Sequence, residues 1–100
     1  MGGRRLRLHP SAEHDINEGL AFYLRRSLKV ASRFLDELDA ALALVKEAPE
    51  RWPLYRLGTR RHVMTSFPYS LVYRVTEKEI QVYAVAHAKR RPIYWRARRL

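Results

Sequence analysis

The stretch YSLVYRVTEKEIQVYAVAH, residues 69–87, decides the fold. Apolar side chains recur at every second position on either side of Glu77-Lys78-Glu79, as in two strands joined by a tight turn. The alternation puts Leu71, Tyr73 and Val75 on one face of the outgoing strand. It puts Ile80, Val82, Ala84 and Ala86 inward on the returning one. Arg74, Gln81, Tyr83, Val85 and His87 then share the opposite face. This is an antiparallel hairpin with one face reserved for a core.

Working back from it, RRHVMTSF (60–67) reads as a third strand, with Arg61 and His62 pointing to opposite faces. Pro68 cannot donate a ladder hydrogen bond, so this strand belongs at an edge or beside a bulge. RWPLYRLGTR, with Pro53 and Gly58, is a connecting loop. Before it, Leu28, Ala31, Leu35, Leu38, Leu42 and Val45 recur at steps of three and four. That spacing predicts a helix from about Ser27 to Ala48, ended by Pro49. Ala12, Ile16, Leu20, Tyr23 and Leu24 predict another, opening at Pro10, which suits a first helical turn, and ending near Arg26. Almost nothing separates them, so they form a hairpin. Glu13, Glu18, Arg33, Asp36 and Glu37 are expected on its solvated faces. At the start, Leu6 and Leu8 alternate with Arg5 and Arg7 as a short strand. After Pro92, Ile93, Ala97 and Leu100 fit one side of a short last helix.

The fold class is therefore α+β in one domain, 1–100. An N-terminal strand and a two-helix hairpin (about 10–48) precede a three-stranded antiparallel sheet (about 60–88). A basic tail (89–100) with a short C-terminal helix closes the chain.

Composition narrows the function. With 47% hydrophobic residues the chain is not disordered, and it has no cysteine for disulfides, thiolate metal sites or nucleophiles. No apolar run reaches the roughly 18–20 residues that span a bilayer, and MGGRRLRLHP lacks the apolar segment of a secretory signal. A cytoplasmic protein is expected. His9 and His14 match no metal-ligand spacing, so neither metal nor cofactor is expected.

Charge is unevenly placed. Residues 1–55 hold nine Lys/Arg and eight Asp/Glu, a net of +1; residues 56–100 hold eleven and two, a net of +9. Such a half attracts anionic partners and phosphate.

From the basic strand and its Phe-Pro-Tyr step (67–69), through Tyr73 and the Val-x-His of 85–87, to the basic run and Tyr94, the C-terminal half resembles the RelE/ParE superfamily of toxins. HPSAEHDI and ERWPLY fit the family's first helix and connecting loop, so the likeness covers nearly the whole chain. It implies the same helical hairpin on a curved antiparallel sheet. It also implies a type II toxin–antitoxin module: a growth-inhibiting toxin in a hetero-oligomer with an acidic antitoxin of the ParD, Phd or RelB kind. An exposed edge strand, the N-terminal one or the Pro68 one, would accept an added antitoxin strand.

The superfamily divides between two chemistries. RelE-like members cleave mRNA in the ribosome. That chemistry would cast Arg74, His87 and Tyr94 as the catalytic set, because metal-free cleavage needs an acid, a base and fixed cations. Arg74 and His87 share a face by strand parity. Arg60, Arg61, Lys89, Arg90, Arg91 and Trp95 are the candidates for contact with target or phosphate. RelE-like nucleases, however, often use lysines or a glutamate after the hairpin, and residues 51–76 hold neither. The tightly joined hairpin is also ParE-like. The favoured reading is a ParE-like toxin that binds a protein target such as DNA gyrase. The alternatives are an mRNA endonuclease and a basic nucleic-acid-binding module without toxicity. On the structural side, His87 can simply bond a neighbouring backbone group, and Phe67, Tyr73 and Tyr83 can pack. Trp52 and Trp95 can cover the loop and the sheet edge.

Overall fold

The computed structural model describes residues 3–100. Strand β1 (Arg5–Leu8) leads into helices α1 (Pro10–Leu24) and α2 (Leu28–Glu47), then β2 (Arg60–Val63), β3 (Tyr69–Val75) and β4 (Glu79–His87). The helix ends are set locally. The His9 ring nitrogen accepts the Ser11 N–H ahead of Pro10, and the Ser27 hydroxyl accepts the Val30 N–H, so both helices carry side-chain caps. Ala48 and Pro49 end α2 and turn the chain into a single helical turn.

The sheet has four strands in the order β1-β4-β3-β2, so the first strand joins it. β1 runs parallel to β4, pairing Leu6 with Ile80 and Leu8 with Val82. β2, β3 and β4 form the expected antiparallel meander. The reading of three strands plus a separate N-terminal one becomes a single sheet with β4 inside it. Both helices pack on one face, around Phe34, Leu38, Val45, Leu71, Tyr73 and Ile80. Along α2 the buried row is Ala31, Phe34, Leu38, Ala41 and Val45. Leu28, placed in the stripe by spacing, is 75% exposed.

Three local expectations change. First, β2 stops at Val63 instead of running to Phe67. The Glu37 carboxylate of α2 accepts the N–H groups of Thr65 and Ser66, pulling that segment off the ladder. Glu37 is thus a tie between layers as well as a solvated residue.

Second, a bulge interrupts β4. Val72 pairs with Ala84 and Tyr73 with Val82, so Tyr83 is an extra residue. One inserted residue reverses the alternation beyond it. Ile80 and Val82 face the helices as expected. Past the bulge it is Val85 that enters the helix-side core, while Ala84 and Ala86 pack on the other face.

Third, the C-terminal segment is a run of turns and not a helix. Ile93 sits at φ 51°, a left-handed conformation that stops helix propagation in a β-branched residue. Turn bonds Tyr94 N–H to Arg91 O, Arg96 N–H to Ile93 O and Arg98 N–H to Trp95 O follow. The strap they make lies over the second sheet face, where Trp95 packs on Val72 and Ala84. The sheet is covered on both sides.

Candidate functional site

The C-terminal end of β4 brings the chemistry-bearing residues together. β1 pairs only with Glu79 to Val82, so the rest of that edge needs other partners for its backbone. Asp15 of α1 supplies one, its Oδ2 accepting the Val85 N–H at 3.1 Å. Arg98 of the strap supplies the other, donating Nη1–H to the Tyr83 carbonyl at 2.8 Å. The same guanidinium meets Asp15 at 2.7 and 3.3 Å, and the Tyr94 hydroxyl donates to Asp15 Oδ2 at 3.0 Å. One carboxylate, 5% exposed, therefore joins helix, sheet and strap. Sequence reasoning missed Asp15. Its signal was a lone acid in the helical row Ala12, Asp15, Gly19 and Tyr23, all of them buried.

This arrangement fixes Tyr94. Burial, and then the Asp15 charge beside it, push its hydroxyl well above the ordinary tyrosine range, and the Asp15 hydrogen bond acts the same way. Its proton is held by a buried carboxylate, which is the reverse of what a general acid requires.

His87 lies on the helix side. Its ring stands edge-on to Tyr69, centroids 5.0 Å apart, and its Nδ1 accepts the Lys89 N–H at 3.0 Å. It borders an open groove of about 250 Å³ with Asp15, Glu18, Phe22, Arg25 and Arg90. Arg74 is elsewhere. It pairs across from Gln81, before the bulge, on the face away from the helices, and donates to the Leu57 carbonyl at 2.8 Å. The shared face expected for Arg74 and His87 does not exist, because the extra residue at Tyr83 lies between them.

The remaining candidates divide by exposure. Arg60 is half-buried and donates to the Trp52 carbonyl at 2.6 Å, holding the loop before β2. Trp95 is 4% exposed and serves as packing. Arg61 is exposed, stacked over the Tyr55 ring at 4.3 Å. Lys89, Arg90 and Arg91 are exposed in the turn after β4, with Arg90 lying 3.8 Å over the Tyr94 ring. His62 turns inward against Trp52, and burial lowers its pKa from the usual value. Among the described residues no cluster of acids and histidines suits a metal ion.

The arrangement is that of a basic, exposed turn on a cross-braced scaffold, with His87 and Tyr94 bordering one groove and Arg74 outside it. Residues 6–92 match the model of the family described as the ParE toxin of the type II toxin–antitoxin system parDE. The chain is 30% identical over 92 residues to Toxin ParE2 of Mycobacterium tuberculosis, in strains CDC 1551 / Oshkosh and ATCC 25618 / H37Rv. The match covers 89% of this chain and 86% of that toxin. In fold it resembles a chain of the chromosomal ParDE system from P. aeruginosa, with a TM-score of 0.76 at 18% identity. That likeness covers 86% of this chain and 97% of the other. Sequence and fold agree, and the chain belongs to the ParE toxin family of type II toxin–antitoxin systems.

Proposed function

We propose that this toxin arrests growth by binding a protein target, DNA gyrase, and is neutralised by an acidic antitoxin in the cytoplasm. One observation carries the choice of binding over RNA cleavage. Of the three groups that cleavage would need, His87 and Tyr94 border one groove, but Arg74 stands across the sheet from His87 and the Tyr94 proton is held by Asp15. General acid–base catalysis needs its groups within hydrogen-bond reach of one phosphate. The exposed Lys89-Arg90-Arg91 turn is the surface offered to the target.

An acidic antitoxin suits a half-chain of net +9, since complementary charge speeds encounter and selects the partner. β1 and β2 are the sheet edges, and either provides backbone groups for an added strand. The toxin and antitoxin would form a hetero-oligomer.

The test is induced expression of this chain alone, following DNA and protein synthesis separately. An early stop in DNA synthesis with induction of the DNA-damage response is expected. An early stop in translation with cut mRNA would overturn the reading.

A further inference from the structure

The sheet face beneath the strap carries two grooves, one on each side of the buried Trp95. One, of about 440 Å³, is lined by Leu57, Arg74, Tyr83, Arg96, Arg98 and Arg99. The other, of about 240 Å³, includes Arg61, Arg90 and Arg91. Neither contains a carboxylate. Arg98 is paired with Asp15, whereas Arg61, Arg74, Arg96 and Arg99 have no ion-pair partner among the described residues. The Arg74 Nε is moreover buried with no hydrogen-bond partner. A partly desolvated cation without a counter-ion is costly, and an arriving anion would offset that cost.

The aromatic rings of this face narrow the choice of anion. Arg61 lies over Tyr55, Arg90 over Tyr94, and Trp95 is buried by the sheet. Single strands are held largely by stacking on open ring faces, and these rings are covered. What the surface presents is guanidinium, which suits a phosphate backbone contacted without reading sequence.

We propose that this face binds the phosphate backbone of duplex DNA, with Arg61, Arg74, Arg96 and Arg99 reaching phosphates on either side of Trp95. The selection of DNA among polyanions rests on the gyrase reading, which places the toxin beside a duplex already held by its target.

The test is fluorescence anisotropy of the full chain with a short labelled duplex DNA, titrated between about 50 and 200 mM salt. Each lost phosphate contact should remove about 0.9 from the slope of log K against log salt. A combined Arg61→Gln, Arg96→Gln, Arg99→Gln variant should lose between about 2 and 3 of slope and weaken about tenfold or more. All three residues are exposed or stacked at the surface, and Arg96→Gln alone, losing about one contact, covers the event that the triple variant misfolds. A charge-matched variant on α2 (Lys29→Gln, Arg33→Gln, Lys46→Gln) should bind like the parent. Equal weakening in both triple variants would overturn the proposal. So would tighter binding of the single strand, of duplex RNA or of an acidic peptide. An early translation arrest would sink the gyrase reading, while the anisotropy decides the phosphate surface.

Discussion

The Tyr94 hydroxyl and the Asp15 carboxylate meet at 3.0 Å across 79 positions of sequence. With Arg98 they fasten the C-terminal strap to the first helix. Removing the acid leaves a largely buried guanidinium unpaired and the Val85 N–H without its acceptor. Asp15→Ala should therefore cost between about 3 and 5 kcal/mol in urea denaturation. Tyr94→Phe deletes one bond and leaves Arg98 in place, so about 1 kcal/mol is expected.

The same geometry predicts which substitutions spare toxicity. If the toxin acts by binding, as proposed, growth arrest on induction should persist in His87→Gln and in Tyr94→Phe, since binding asks no proton transfer of either side chain. Reversing the exposed turn, Lys89→Glu with Arg90→Glu and Arg91→Glu, should raise the inducer level needed for arrest about tenfold or more, since like-charge contacts cost several kcal/mol. Truncation before Lys89 is a poorer probe, as it also removes Trp95 from the sheet.

His62 gives a pH dependence whose sign is fixed. Burial against Trp52 lowers its folded pKa below the ordinary 6.5, and Glu37 opposes this less strongly. The unfolded chain then holds more proton between the two values, so stability is complete above 6.5 and declines as pH falls through it. Thermal melts should show that decline, and His62→Gln should flatten it. An unchanged slope in the variant would assign the effect to other groups.

Gly19 of α1 packs tightly against both α2 and the sheet. A Cβ there would stand 3.0 Å from both Phe34 and the Tyr69 hydroxyl. Gly19→Val should therefore destabilise by between about 1 and 3 kcal/mol in denaturant titration, the range for overpacked cores.

The sequence disclosed what depends on near neighbours. Spacing located both helices, Pro49 the end of the second, and alternation the β3–β4 hairpin. The parity of β4 beyond Tyr83 was hidden because Val-Tyr-Ala-Val-Ala is apolar in both phases, and a bulge is defined only against the partner strand. Ile93 looked like a helix position because its spacing to Ala97 and Leu100 was right, while its backbone angle answers to Trp95 packing on the sheet. Asp15 went unremarked because its partners stand 70 to 83 positions away.

The pairing of the first strand with the last carries a temporal consequence. Arg7 and Glu79 meet across 72 residues. At synthesis rates of about 5 to 20 residues per second, the first strand waits roughly 4 to 14 seconds for its neighbour to be made. Until then neither the sheet nor the Asp15 clasp can close. The nascent chain thus spends most of its elongation without a finished sheet, and the fold is completed only as its last residues are made.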